Sequence, residues 1–214
     1  ERLFGLNSLD PTTITGRKNV FGLNDALLFE HVSDELDHLS AAQKPFFLSI
    51  LTLGTHGPDG FLDQNCHRKE NEIHQLPAAI RCTGATVKRF IELLNKRGLS
   101  ESTLVVVMSD HLAANHRVLF DHNLIKSMSV DKKDRRNLFF IHGMPPQKVR
   151  KAGSMIDIYP TVLEALGYEI RERKANLGVS LLSDKNTLVE SYGAAGASKL
   201  FLYNYRLARF LWSE

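Results

Sequence analysis

Three short runs that are apolar on both faces constrain the fold of this chain most. They are residues 46–53 (FFLSILTL), 103–108 (TLVVVM) and 138–141 (LFFI). Successive side chains of a strand point to opposite faces, so a strand of this kind needs cover on both sides. Parallel strands that lie between two layers of helices show this pattern.

Amphipathic helical patterns lie before, between and after these runs. The first begins at Asn24 or Asp25, the second covers about residues 79–96, and the third begins at Asp157. Their expected C-terminal stops are the glycines Gly98 and Gly167. This alternation predicts an α/β fold, a layered sandwich with a mostly parallel central sheet.

Charge and hydropathy argue against two classes of partner for this stretch of sequence. The 214 residues carry a formal net charge of +3, and the basic stretches are short or interrupted by acids. No nucleic-acid partner is therefore predicted. No apolar run is long enough for a membrane-spanning helix. Any membrane segment of the protein is expected upstream of residue 1.

Polar residues follow two of the apolar runs directly. Thr55, His56 and Asp59 follow the first, and Asp110 and His111 follow the second. Open α/β sheets bind ligands outside the carboxyl ends of their strands. The Asp–His pair can hold one or two divalent cations, but Asp110 can equally cap a helix. The imidazole of His56 can hold a phosphate oxygen or donate a proton, or it can lie on a surface loop without a role.

The two cysteines, Cys66 and Cys82, are 16 residues apart. Their spacing lacks the CxxC or His-rich pattern of a structural zinc site. Spacing alone leaves two interpretations open: reduced thiols in a cytosolic protein, or one disulfide that closes a surface loop. A bridge around such a loop stabilises a protein by about 3 kcal/mol in the chain-entropy description.

Four segments together resemble the later half of the alkaline phosphatase/sulfatase superfamily domain. They are residues 45–53, 55–58, 106–111 and 157–163. The loop THGPDGF at 55–61, with Cys66 and Arg68 after it, is most similar to the phosphoglycerol transferases. The resemblance implies that residues 1–214 are the C-terminal part of a sulfatase-like catalytic domain, an incomplete α/β sandwich. It covers about residues 20–170, and the segments 1–24 and 175–214 are not assigned.

The resemblance implies roles for particular residues. His56 corresponds to the catalytic histidine that faces the transferred phosphoryl group, and Asp110 and His111 correspond to a pair of metal ligands. The metal would be divalent, Mn or Mg in preference to Zn. Substrate-binding roles are implied for Thr55, Asp59 and Arg68.

The resemblance also implies a reaction and a location. The protein would transfer phosphoglycerol from phosphatidylglycerol to a glucan, on the periplasmic side of the bacterial inner membrane. Disulfides persist in that compartment, which favours a Cys66–Cys82 bridge. The family's threonine nucleophile and an earlier acidic ligand are not recognised in residues 1–45, because the cluster at Thr12, Thr13 and Thr15 does not follow a buried strand. The chain alone is therefore expected to be inactive.

Two alternatives are kept. One is a sulfatase or phosphodiester hydrolase of the same superfamily, which transfers to water. The other is a non-catalytic module that binds a glucan or a lipid headgroup.

Overall fold

The computed structural model describes residues 14–112 and 136–203, together with the single positions Phe4, Gly5, Leu9, Thr12, Arg206 and Arg209. The chain divides into two compact units. The first comprises residues 1–100 and 108–138, and the second comprises residues 101–107 and 139–214.

Two helices form the framework of the first unit. Helix α1 spans Asp25–Ala41 and helix α2 spans Leu76–Lys96. The two pack against each other. Phe29 of α1 meets Phe90 of α2 edge to face, with ring centroids 5.5 Å apart. The predicted amphipathic patterns are thus confirmed as helices that share an apolar contact.

The ends of these helices follow the local signals of the sequence. Asn24 is the N-cap residue of α1, as predicted. Gly98 adopts φ +69° just beyond α2. The Gly98 amide donates to the Asn95 carbonyl at 3.1 Å and the Leu99 amide donates to the Leu94 carbonyl at 3.0 Å. This pair of bonds is a Schellman motif, which a residue with positive φ closes.

The first apolar run, residues 46–53, is extended but does not pair as a strand within the described part of the chain. Its outer face is open to solvent: Phe47 is 92% exposed and Leu51 is 68% exposed. The prediction of a strand is therefore wrong for these residues. The prediction that other elements cover both of its faces is wrong as well. A strand is defined by a neighbour in hydrogen-bonding range, and the run alone does not specify that neighbour.

The other two apolar runs pair with each other in a two-stranded sheet. Strand β1 spans Val105–Met108 and strand β2 spans Phe139–His142. The Ser109 amide donates to the Leu138 carbonyl at 3.0 Å beyond one end. At the other end, Gly143 lies so close to Thr103 that an added Cβ would come within 2.6 Å of the Thr103 carbonyl oxygen. These contacts make the pair antiparallel, so the predicted mostly parallel central sheet is not found among the described residues.

The second unit continues with short elements after β2. They are helix α3 (Ile158–Ala165), strands β3 (Lys174–Ala175) and β4 (Gly178–Val179), and helix α4 (Leu188–Tyr203). Single 3₁₀ turns occur at Ser100–Ser102, Met155–Asp157 and Arg171–Arg173. Strands β3 and β4 pair antiparallel. Gly167, with φ +86°, follows α3 as predicted.

The carboxylate of Asp157 holds the start of α3 to β4. Asp157 is fully buried, and it accepts hydrogen bonds from the Ser154 amide at 2.8 Å and the Val179 amide at 2.8 Å. Thr161, one turn later, accepts the Leu181 amide at 2.9 Å. The sequence motif at 157–161 thus has a structural role: its side chains fasten the segment 179–181.

The C-terminal segment, which the sequence left unassigned, contains a capped helix. The buried Thr187 hydroxyl accepts the Glu190 amide at 3.0 Å, and the Glu190 carboxylate accepts the Thr187 amide at 3.1 Å. This reciprocal pair is a capping box at the start of α4. No helix within residues 14–112 and 136–203 has both the length and the apolar character needed to cross a bilayer.

Candidate active site

The predicted site residues all fall in the first unit, and three of them lie on one closed loop. The Phe61 amide donates to the Gly54 carbonyl at 2.7 Å, so the two ends of the loop meet. Within it, the Gly60 amide donates to the His56 carbonyl at 3.1 Å. Gly60 has φ +74°, and an added Cβ would lie 2.6 Å from the Cβ of Ala79. The loop is therefore fixed on the surface of α2 by residues that tolerate no side chain.

A buried carboxylate holds the base of this loop. Asp25, the first residue of α1, is 2% exposed. It accepts hydrogen bonds from the Leu53 amide at 2.8 Å, the Gly54 amide at 3.0 Å and the Thr83 hydroxyl at 2.7 Å. An added Cβ on Gly54 would come within 2.5 Å of the Asp25 carboxylate. The start of α1, the loop and α2 thus meet at one carboxyl group.

A second carboxylate, Asp63, lies beside the same helix end. It accepts the Ala26 amide at 3.1 Å, one of the donors that the first turn of a helix leaves without an intrahelical partner. Burial raises the pKa of Asp63, and the bond from Ala26 opposes that shift. Asp63 also lines a shallow surface cleft with Arg17 and Glu30. Neither Asp25 nor Asp63 was predicted as part of the site.

The His56 ring is held on two sides but keeps one nitrogen available. Its Nδ1 lies 2.8 Å from the Gly57 carbonyl oxygen. Because a carbonyl only accepts, Nδ1 carries the proton there, and Nε2 is the nitrogen left for a ligand. The ring of Phe21 lies against the imidazole, with centroids 4.1 Å apart and planes at 31°. Phe21 also meets Phe61 edge to face at 5.8 Å.

The three predicted substrate-binding residues divide into two groups. Thr55 and Asp59 are exposed on the same loop as His56, where both can reach a ligand from solvent. Arg68 lies on the following segment, where its guanidinium donates to the Ile73 carbonyl at 3.1 Å. No hydrogen bond or ion pair of the described residues joins Arg68 to the His56 loop. Its predicted role stays a prediction.

The segment 66–75 is joined to α2 by a disulfide and by an ion pair. The structure confirms the predicted disulfide between Cys66 and Cys82, whose Cα atoms are 5.9 Å apart. Next to it, Arg81 donates to both carboxylate oxygens of Glu72, at 2.5 and 2.7 Å. These bonds lower the pKa of Glu72 to about 2. The ion pair was not predicted, because nothing in the spacing of the two residues distinguishes them from other charged residues.

Asp110 and His111 follow β1 directly, and both are exposed. An Asp110 oxygen lies 3.4 Å from His111 Nε2, while the other accepts the His111 amide at 2.9 Å. A cation at roughly 2.1 Å from each donor spans such a gap, so the pair fits a divalent metal. Residues 14–112 and 136–203 contain no cluster of three possible ligands. His116 and His122, which follow in the sequence, lie outside the described residues.

The site as described is therefore two groups of chemistry-bearing residues in one unit. No hydrogen bond or ion pair within the described ranges joins His56 to the Asp110–His111 pair. Their convergence on one ligand stays a prediction. Sequence reasoning found the loop and the pair, but it missed Phe21, Asp25 and Thr83, which hold the loop from distant positions in the chain.

A family model and curated relatives match this chain. The sulfatase family model matches residues 5–168. Phosphoglycerol transferase I of Salmonella arizonae is 32% identical over 176 residues, which is 78% of this chain and 22% of the relative. Phosphoglycerol transferase I of an Escherichia coli strain is 30% identical over 194 residues, 87% of this chain and 24% of the relative. The chain thus spans about a quarter of the length of these relatives.

Proposed function

The chain belongs to the sulfatase family, and from that premise we propose that the protein transfers phosphoglycerol from phosphatidylglycerol to a glucan. The observation that carries the proposal is the His56 loop, since its closed form leaves Nε2 available beside exposed Thr55 and Asp59. The similarity to two phosphoglycerol transferases supports the donor. The disulfide supports an oxidising compartment, here the periplasmic side of the bacterial inner membrane.

The reaction proposed is a double displacement at phosphorus. A hydroxyl nucleophile, which we do not recognise in residues 1–45, loses its proton to solvent and attacks the phosphodiester, and the bond from phosphorus to the diacylglycerol oxygen breaks. His56 in its protonated form gives the leaving oxygen a proton from Nε2. A glucan hydroxyl then attacks the phosphoglycerol–enzyme ester, and the bond from phosphorus to the enzyme oxygen breaks. His56 takes up the proton of the glucan hydroxyl, and the enzyme oxygen regains a proton from solvent. Each step thus returns His56 to the form that the other step needs.

Asp110 and His111 would hold the divalent metal, Mn or Mg in preference to Zn. When bound, the ion supplies Lewis-acid polarisation of a phosphoryl oxygen. The carboxylate of Asp110 suits a hard cation, and His111 adds the nitrogen donor that this family site tolerates. Thr55 and Asp59 would position the glycerol hydroxyls from the His56 loop.

Hydrolysis is the second candidate, and the sulfatase family model favours it. In that reaction water takes the place of the glucan hydroxyl in the second displacement. The residues of this chain would act in the same way, so the two candidates differ only in the acceptor.

The test uses the full-length protein that contains this chain, phosphatidylglycerol labelled in its headgroup, and a glucan. We expect label in the glucan and release of diacylglycerol. Asp110→Asn and His111→Ala should each lower turnover by at least about 10–100-fold, because even a residue that only orients a metal ligand through a hydrogen bond contributes that much. His56→Gln should lower it by about 100-fold or more.

The matched control is Asp34→Asn, an exposed carboxylate on α1 that should leave turnover unchanged. Label released only as glycerol phosphate would replace transfer with hydrolysis. Full activity in Asp110→Asn would show that the pair is not the metal site.

A further inference from the structure

A hairpin next to the His56 loop presents apolar side chains to solvent. Residues Lys18 and Leu23 form an antiparallel bridge. The Asn19 amide donates to the Gly22 carbonyl at 2.8 Å, and the Asn19 side-chain oxygen accepts the Phe21 amide at 2.8 Å. The turn is therefore closed by both the backbone and the side chain of Asn19, an arrangement that Asn favours. We call residues 18–23 the hairpin.

The base of the hairpin is anchored in a small core. Leu23 is buried with Ile14 and Leu27. The Asn24 amide donates to the Arg17 carbonyl at 3.0 Å, which extends the pairing by one step. The position of the tip is thus set by α1, since Leu27 belongs to that helix.

The two residues at the tip are apolar, which is unusual for a turn. Turn tips usually carry polar residues or glycine, because they face water. Here Val20 is 86% exposed and Phe21 is 54% exposed. Single exposed apolar residues are common on protein surfaces. Two in succession at a fixed tip are a small apolar wedge that folding of the described chain does not cover.

The wedge and the candidate catalytic histidine form one surface. One side of the Phe21 ring packs on His56 at 4.1 Å, and its neighbour Phe61 contacts it edge to face. Val20 precedes Phe21 and is the more exposed of the two. If Val20 inserts into a surface, the polar outer layer of that surface therefore comes close to His56.

The charge at the base of the wedge indicates which kind of surface the wedge can bind. Lys18 is exposed directly below the tip. Arg17 is half-exposed and pairs with Glu30 at 2.5 Å, so Lys18 carries the outward positive charge of this hairpin. An apolar tip above a basic residue is complementary to a bilayer whose headgroups are anionic.

We propose that the hairpin docks on an anionic lipid surface, with Val20 entering the interfacial layer and Lys18 contacting lipid phosphates. The proposal rests on the proposed function, in which the donor is an anionic phospholipid. It adds the way in which that donor is reached: the acyl chains stay in the bilayer while the headgroup comes to His56. Phe21, already packed on His56, lies at the border between the two.

The test measures flotation of the 214-residue chain with two kinds of vesicle. One kind is equimolar phosphatidylglycerol and phosphatidylcholine, and the other is phosphatidylcholine alone. The variant is Val20→Asn, and the matched control is Ile73→Asn, a branched apolar residue that is 74% exposed elsewhere in the same unit. Because both side chains are exposed, neither change should disturb folding.

We expect Val20→Asn to weaken binding to the anionic vesicles about three- to tenfold, from the loss of one partly inserted apolar side chain. Ile73→Asn should bind as the unchanged chain does. Lys18→Gln should weaken binding about fivefold on the anionic vesicles only, and added salt should reduce that difference. Equal binding by Val20→Asn and the unchanged chain would overturn the proposal.

Two further results would also overturn it. Equal loss in Val20→Asn and Ile73→Asn would indicate general adhesion of apolar surface. A concentration-dependent dimer that Val20→Asn abolishes would show that the hairpin binds a second copy of the chain. The proposed function has its own readout, because flotation needs no turnover: an inactive full-length protein would refute the transfer reaction and leave the binding result intact.

Discussion

At the scale of single residues, two buried aspartates at helix starts organise the described chain. Asp25 binds amides 28 and 29 residues away, and Asp157 binds an amide 22 residues away. The sequence identified both positions as helix starts, because capping preferences are local. It could not identify their partners, because the local sequence around a residue does not show which distant residues will contact it. The same holds for Phe21, whose contact with His56 spans 35 residues.

Asp25→Asn should loosen the His56 loop. An asparagine side chain has one oxygen in place of two and loses the charge, so at least one of the three bonds is lost. We expect the free energy of unfolding to fall by about 1.5–3 kcal/mol, the range for a hydrogen bond to a charged group. Amide exchange at Leu53 and Gly54 should quicken more than exchange in α2.

Denaturant unfolding and hydrogen exchange measure these effects, with Asp34→Asn as the control on the same helix. If exchange at the loop base stays as slow as in the unchanged chain, the carboxylate does not hold the loop.

At the scale of elements, the helices and two of the three strands were predictable, whereas the pairing of the strands was not. Helices α1, α2 and α3 begin or end where Asn24, Gly98 and Asp157 predict, because caps and helical spacing are read within one or two turns. The run at 46–53 has strand composition but no strand partner within the described residues. Apolar runs indicate extended backbone, whereas pairing, direction and cover depend on segments far away in sequence.

The ion pair between Glu72 and Arg81, which joins segment 66–75 to α2, should make the stability of the chain decrease at acid pH. Arg81 holds the pKa of Glu72 at about 2 in the folded chain, below its ordinary value of 4.5. The stabilisation by this pair is therefore fully present above about pH 5. It is lost as the pH falls through 4.5 towards 2, because the carboxylate must then be protonated.

Melting temperature measured between pH 6 and pH 2 checks this, at roughly one-unit steps. Glu72→Gln should lose stability at pH 6 and show a shallower decline than the unchanged chain. Glu70→Gln, an exposed residue of the same segment, is the control and should follow the unchanged chain. Parallel curves for Glu72→Gln and Glu70→Gln would contradict the assignment.

At the scale of the whole molecule, the chain corresponds to about a quarter of the length of the relatives it matches. The relatives it matches are covered only to 22–24% of their length. Motifs of a few residues suffice to identify a family, and the sulfatase match over residues 5–168 confirms that identification. A complete site is different, because it collects side chains from many elements. The sequence of this part could name His56, Asp110 and His111 but not the groups that complete them.

The 214-residue chain should bind Mn²⁺ weakly, because two exposed ligands compete poorly with water. Titration followed by the electron paramagnetic resonance of free Mn²⁺ measures this. The full-length protein should bind at least about tenfold more tightly, and Asp110→Asn should remove that advantage. Tight binding by the 214-residue chain would contradict this and direct attention to ligands such as His116 and His122.

The extended run at 46–53 has a consequence for the solubility of the chain. It has no strand partner within the described residues, its outer side chains include Phe47 and Leu51, and it contains no charge and no proline. Segments with these properties act as templates for identical segments, which stack as cross-β layers. When the chain is held alone at high concentration, the competing product is thus an ordered fibril nucleated at this run, and its onset is set by concentration and time.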